Sequence, residues 1–229
     1  MSRNIGIILA GGVGRRFGAT CPKQYCKVLG KEMLWYSINA FQRSEKLDDF
    51  IVIVDDAEMN RGRIAGEYGV KTVCGGATRN LSLKNALEYI HAHYPYCEKI
   101  IENNAACPMI TPELIDVFMD KLDEYDYVHT TYKITDALGA CDGSVVDRDD
   151  FFLIQAPDAY RFPLLYKYFD PESDLCHPAH QLPHTAKECR YYDYVDNFKV
   201  THPQDIEIVE ILLKRRQNKK MHNGSVCGG

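Results

Sequence analysis

No apolar run in the 229-residue sequence is long enough to span a bilayer, which argues against a membrane-spanning helix. No secretory signal pattern opens it either. Basic residues are not in excess: 27 Lys and Arg stand against 32 Asp and Glu, for a net charge of −5. With a sequence pI of about 5.9, that balance argues against a nucleic-acid-binding surface. The cysteines form no even, closely spaced disulfide framework. There are nine of them, scattered and odd in number, and they are expected to be reduced thiols in a cytoplasmic protein. No internal repeat is visible. With those classes set aside, the length suits a single α/β domain carrying a small appendage.

What the chain does have is an apolar strand that runs into a glycine loop: Ile7-Ile8-Leu9-Ala10-Gly11-Gly12-Val13-Gly14-Arg15-Arg16-Phe17, followed by Pro22-Lys23-Gln24-Tyr25. Glycines let backbone N–H groups close on an anion, and fixed cations beside them stabilise shifting polyphosphate charge. The pattern reads as a triphosphate-handling site at the carboxyl end of a first strand. It is not a P-loop, because Gly14 is followed by Arg15-Arg16 rather than Lys-Ser. It is not a dinucleotide fingerprint either, since Phe17 stands where the third glycine belongs.

Apolar runs at 5–10, 50–54, 70–74, 98–102 and 126–131 predict buried strands, and helical patterns lie near 33–43, 58–67, 79–92 and 111–123. Thr111 is a helix cap with Pro112 at the first helical position. This alternation predicts an α/β fold with a doubly wound, mostly parallel sheet and a ligand at the carboxyl ends of its strands. After residue 133 the pattern changes. The stretch 133–155 reads as a protruding β-hairpin arm around the turn Cys141-Asp142-Gly143, with Val145, Val146, Phe151 and Phe152 in need of a partner surface. Helices near 161–169 and 203–217 follow. One domain is expected over 1–217, with a flexible tail over 218–229.

The motif Ala-Gly-Gly-x-Gly-x-Arg-Phe with Pro-Lys-Gln-Tyr downstream resembles sugar- and polyol-phosphate nucleotidyltransferases. Within them it is similar to the cytidylyltransferases of the 2-C-methyl-D-erythritol 4-phosphate and ribitol 5-phosphate family, and the resemblance extends over nearly the whole chain. It implies a Rossmann-like nucleotidyltransferase fold. It also implies that Ala10, Gly11, Gly12 and Gly14 cradle a triphosphate, that Arg16 holds the β and γ phosphates, and that Lys23 sits on the α-phosphate. The block Gly75-Gly76-Ala77-Thr78-Arg79-Asn80-Leu81-Ser82 matches the family's Gly-Gly-x-x-Arg-x-x-Ser, which makes Gly75, Gly76, Arg79 and Ser82 nucleotide-binding candidates. Arg79 and Ser82, three apart, share one side of a helix start. Lys199, in Asn197-Phe198-Lys199-Val200-Thr201, is implied as a further cation at the acceptor or phosphates, while Thr201 and Pro203 also suit the start of the last helix.

Several departures from the family pattern fall on the acceptor side. Asn103-Asn104-Ala105-Ala106-Cys107-Pro108 stands where the family has His-Asp-Ala-Ala-Arg-Pro, so an amide replaces a carboxylate at Asn104 and a thiol replaces a cation at Cys107. Asp136 matches the family's arm motif, but Gly139 replaces its lysine. Ala156 replaces a threonine and Asp158 a glutamine in Gln155-Ala156-Pro157-Asp158. Asn104, Asp136, Arg148 and Lys199 are the acceptor-binding candidates. Arg148 is expected to reach a partner's acceptor site in a homodimer built through the arm, so it joins Arg16, Lys23 and Lys199 as a catalytic candidate.

The resemblance implies transfer of CMP from CTP to a small polyol phosphate or phosphonate, with Mg2+ bridging phosphate oxygens. Asn104 is a poor metal ligand, so no protein ligand is assigned to that ion. Two alternatives stay open: a different nucleoside triphosphate with a sugar phosphate, and a non-catalytic nucleotide-binding paralogue. The stretch Cys176-His177-Pro178-Ala179-His180-Gln181-Leu182-Pro183-His184, with Cys189 beyond, has residue types that suit zinc in no recognised zinc spacing. It is expected to be a polar loop bordering the acceptor pocket.

Overall fold

The computed structural model describes residues 3–12, 17, 22–175 and 177–224. In chain order the elements are β1 (Asn4–Leu9), β2 (Lys27–Val28), β3 (Lys31–Glu32), α1 (Met33–Arg43), β4 (Asp49–Val54), α2 (Asp56–Arg61), α3 (Arg63–Tyr68), β5 (Lys71–Cys74), α4 (Arg79–His93) and β6 (Lys99–Asn104). They continue as α5 (Pro112–Lys121), β7 (Tyr127–Lys133), β8 (Phe152–Arg161), α6 (Phe162–Tyr168), β9 (Glu188–Tyr191) and α7 (Asp205–Gly224). The seven-stranded sheet has the order β5-β4-β1-β6-β8-β7-β9. Its strands run parallel except β8, which is antiparallel to both β6 and β7. From β1 the chain moves outward to β4 and β5, then crosses back to β6 on the other side of β1. That reversal opens a crevice at the carboxyl ends of the strands.

Helical periodicity decides which face each helix covers. Leu34, Ile38 and Phe41 of α1 and Leu114, Ile115 and Phe118 of α5 are buried on one face of the sheet. Leu83, Leu87 and Ile90 of α4 and Leu165 of α6 are buried on the other. A third cluster joins Phe17, Val28 and Met33 to Val200, Val209 and Leu213, so α7 packs beneath the loop that follows β1. Among the described residues, no helix is long and apolar enough to cross a membrane.

Several expectations change. The single helix expected over 58–67 is two, α2 and α3, because Gly62 between them sits at φ +67, where it caps the first and starts the second. The region 133–155 is not a separate hairpin. β7 and β8 pair from Tyr127↔Tyr160 out to Lys133↔Phe152, and residues 134–151 form the irregular loop that joins them. The turn at 141–143 is present, with Gly143 at φ +78 donating to the Ala140 carbonyl at 3.0 Å. Strand β8 escapes sequence pattern because Pro157 interrupts it. The ladder shifts register there, pairing His129 with Asp158 but Thr130 with Gln155, so the proline occupies a bulge. Helix α7 runs on to Gly224, well into the segment expected to be a tail.

Candidate active site

An open cleft of about 920 Å³ lies over the carboxyl ends of β1, β5 and β6. Its floor begins where β1 ends. The Ala10 N–H donates to the Ile53 carbonyl at 2.8 Å, and the Ala10 carbonyl accepts from the Gln24 side-chain amide at 2.7 Å. Gln24 is buried, so it ties the Lys23–Tyr25 turn to the start of the glycine loop. Gly11 and Gly12 line the cleft. Gly14 and Arg16 lie outside the described residues.

Lys23 and Lys199 line the same cleft although far apart in sequence. The Lys23 ammonium donates to the Val200 carbonyl at 3.4 Å, the Val200 N–H to the Ala106 carbonyl at 2.8 Å, and the Ala106 N–H to Asn104 Oδ1 at 2.9 Å. Three segments are stitched together in this way. On the other side, a Cβ at Gly76 would stand 2.4 Å from Leu81 Cβ, so only glycine allows this loop to fold onto the start of α4. Ser82 Oγ accepts from the Gly76 N–H at 3.0 Å and donates to the Thr78 carbonyl at 2.9 Å. Thr78 in turn caps α4, accepting from the Leu81 N–H. Gly75, Gly76, Arg79 and Ser82 thus line one wall, with Lys23, Asn104 and Lys199 facing the same space.

A family model described as 2-C-methyl-D-erythritol 4-phosphate cytidylyltransferase matches residues 5–215. The chain belongs to this family. It is a nucleotidyltransferase of the cytidylyltransferase class. Among curated relatives, the 2-C-methyl-D-erythritol 4-phosphate cytidylyltransferase of Paraburkholderia phytofirmans is 30% identical, covering 93% of this chain and 97% of that protein. A bifunctional ribulose 5-phosphate reductase/CDP-ribitol pyrophosphorylase from Haemophilus influenzae is 27% identical, over 97% of this chain and 50% of its own length. The structure of 4-diphosphocytidyl-2C-methyl-D-erythritol synthase from Anaerococcus prevotii shares the fold, with a TM-score of 0.78 at 21% identity over 93% of this chain and 96% of that one.

Two of this cytidylyltransferase's acceptor-side candidates are not in the cleft. Asp136 and Arg148 stay on the β7–β8 loop, both exposed, where the Arg148 guanidinium donates to the Thr135 carbonyl. Cys107 is fully buried, and burial pushes its thiol up to about 12. It does not line the cleft, although the Lys199 and Lys23 charges act on it. Ala156 is half-buried on β8, its carbonyl accepting from the Asn197 amide.

Asp55, Asp56, Glu102 and His129, at or beneath the site, escape sequence reasoning, and Asp158 and His177 take places there that it did not assign. Asp55 and Asp56 line the cleft at the end of β4, where Asp55 caps α2 through the Glu58 N–H and Asp56 accepts from the Cys74 thiol. Beneath Arg79 lies a buried polar row. Arg79 Nη2 donates to Glu102 Oε1 at 2.6 Å, and Glu102 pairs in register with Asp158. His177 Nε2 lies 3.3 Å from Asp158 Oδ1, and His129 Nε2 lies 3.1 Å from Glu188 Oε1. The Glu102 carboxylate holds the Arg79 pKa above its ordinary value. Burial lowers that of His177, but Asp158 outweighs it and the net shift is upward, whereas burial leaves His129 lowered. His177 therefore belongs to this row rather than to a zinc site. Cys176 lies outside the described residues, and among those described no group of three or more His, Cys, Asp or Glu is arranged to hold a metal.

Proposed function

We propose that this cleft transfers CMP from CTP to a small polyol phosphate or phosphonate other than 2-C-methyl-D-erythritol 4-phosphate, releasing pyrophosphate. The observation that carries the reading is the convergence of Lys23 and Lys199 on the glycine-lined cleft of a chain in this family. An acceptor oxyanion attacks the α-phosphorus in line with the departing pyrophosphate. Such chemistry needs positioning and charge neutralisation more than covalent help. Backbone N–H groups at Gly11, Gly12 and Gly14 receive the triphosphate, Arg16 holds its β and γ phosphates, and Lys23 meets the charge that builds on the α-phosphate. Gly75, Gly76, Arg79 and Ser82 form the nucleoside side, and Asn104 and Lys199 the acceptor side.

Magnesium belongs to this reading as the counter-ion that the triphosphate brings. The side chains on the β6 side do not fit a protein-held ion: Asn104 Oδ1 is engaged by the Ala106 N–H, and Asp55 and Asp56, the carboxylates among the described lining residues, lie at the end of β4.

Asn104, Cys107, Gly139 and Ala156 support an acceptor different from methylerythritol phosphate, and the CDP-ribitol pyrophosphorylase named among the relatives supports polyol phosphates as a class. The enzyme is cytoplasmic in this reading and works as a homodimer through the β7–β8 loop. That loop exposes Leu138, Val145 and Phe151, with Leu153 exposed at the start of β8, a surface suited to a second copy. Arg148 serves the neighbouring site.

Pyrophosphate release measured with each of the four nucleoside triphosphates, across ribitol 5-phosphate, methylerythritol 4-phosphate and aminoalkylphosphonates, tests the proposal. CTP with a polyol phosphate or phosphonate is the expected productive pair. Methylerythritol 4-phosphate turned over as well as the best acceptor, another preferred triphosphate, or tight CTP binding with no release against any acceptor would each overturn it.

A further inference from the structure

Glu102 sits in β6, between β1 and β8, and is 1% exposed beside fully buried Ile100 and Ile101. Burying a carboxylate here is costly, and a well-packed apolar side chain of similar size would serve folding at least as well. What Glu102 does have is Arg79. The Arg79 side chain remains 40% exposed and lines the cleft between Gly76 and Ser82, while Nη2 reaches Glu102 Oε1 at 2.6 Å. The contact is single rather than a bidentate fork, so the guanidinium N–H groups beyond Nη2 are not committed to Glu102. Asp158 directly opposite is a second buried carboxylate, 2% exposed and near enough to act on the same guanidinium. His177, brought over the sheet by the loop after α6, sets its imidazole against Asp158.

We propose that Glu102 is a positioning residue for the donor: it fixes the Arg79 guanidinium at the cleft wall beside Gly76 and Ser82, while the Asp158–His177 pair keeps the second carboxylate from drawing Arg79 away. The inference rests on the assignment of Arg79 to the nucleoside side of the cleft. A hydrogen bond to a charged group is worth roughly 1.5–3 kcal/mol, which corresponds to about ten- to hundredfold in affinity.

Calorimetric titration of CTP and steady-state kinetics on the full chain test it, using wild type, Glu102→Gln, His177→Gln, Arg79→Ala and the two doubles with Arg79→Ala. Wild-type CTP binding that Arg79→Ala weakens confirms the donor-side assignment; no binding, or no effect of Arg79→Ala, would sink that assignment itself. With it confirmed, Glu102→Gln is expected to raise both the dissociation constant and KM for CTP about tenfold or more, with kcat within about threefold. In the Arg79→Ala background the same change should add less than about twofold. A merely structural role would lower the melting temperature and add its loss in both backgrounds. Wild-type CTP affinity in folded Glu102→Gln, or an equal loss without Arg79, overturns the proposal. Should Glu102→Gln not fold, the His177→Gln cycle decides: a several-fold loss of CTP affinity that needs Arg79 supports the proposal. No loss, or one independent of Arg79, refutes it.

Discussion

At the scale of single residues the cleft separates charges that meet solvent from charges that do not. Lys23 is half-buried and lines the open cleft, the place where the proposed reaction builds charge on a phosphate in the transition state. Removing one preorganised donor of this kind costs about 3–4 kcal/mol. Lys23→Ala is therefore expected to lower turnover roughly a hundred- to a thousandfold in a pyrophosphate-release assay; retention of more than about a third of the rate would remove Lys23 from that role. His177 makes a different kind of prediction. Asp158 raises its pKa above the ordinary imidazole value against the opposing effect of burial, so the folded state favours the protonated ring. The stability it confers is fully present below about pH 6.5 and is lost as pH rises through the folded value. The melting-temperature gap between wild type and His177→Gln should accordingly be widest near about pH 6 and narrowest near about pH 9; a gap that does not change with pH would mean His177 is neutral in the fold. Lys23, Arg79 and Ser82 were legible because they sit in motifs at element ends. Glu102 was not, and Asp158 stood out only as a departure from the family's glutamine, not as a buried partner of Glu102. A carboxylate inside a buried strand contradicts the apolar pattern that announces the strand, and only its cross-strand neighbours explain it.

At the scale of elements, legibility follows periodicity. Helix α1 and the Thr111-capped α5 appear close to where their apolar spacing and caps place them. Strands β8 and β9 had no such signal: one carries a proline at a bulge, and the other is the four-residue run Glu188–Tyr191 at the sheet edge. The turn within 133–155 is legible and suggests a hairpin, whereas the strand pairing that supports it lies further back, on β7 and β8. The wall formed by the β5–α4 junction gives the sharpest test at this level. A Cβ at Gly76 would clash with Leu81 on the first turn of α4, and relieving that contact means moving the loop away from Ser82. Gly76→Ala is expected to destabilise the protein by about 1–3 kcal/mol and to weaken CTP binding together with stability. A denaturation midpoint unchanged from wild type would show that the loop has room to shift.

At the scale of the whole molecule, the position of the cleft follows from strand order. The parallel strand–helix alternation visible in the sequence implied a crevice at the strands' carboxyl ends, and the reversal at β1 sets it there. The proposed homodimer would bring a second copy to the β7–β8 loop. Arg148 does not line its own cleft, and the apolar side chains of the loop around it are exposed. Mixing Arg148→Ala subunits with Lys23→Ala subunits is expected to give activity above either parent, because mixed dimers regain one intact site. No rise, with subunit exchange verified and both parents impaired, would place Arg148 in cis or outside the reaction.

The contact between Lys23 and Val200 bridges 177 positions of chain, and the Leu29 N–H reaches the Glu210 carboxylate across a similar span. A loop made by the first stretch of polypeptide is completed only by almost the last. Contacts of such separation carry a large closure entropy and tend to form late in folding. The binding site should thus be absent from the folding transition state, and nucleotide cannot act as a template for the chain. CTP at about a hundred times its dissociation constant stabilises the native state by about 2.7 kcal/mol. In stopped-flow experiments that whole effect is expected on the unfolding arm, as a slowing of roughly a hundredfold, with the refolding rate unchanged within about twofold. Faster refolding in the presence of CTP would mean that the two ends of the chain meet early.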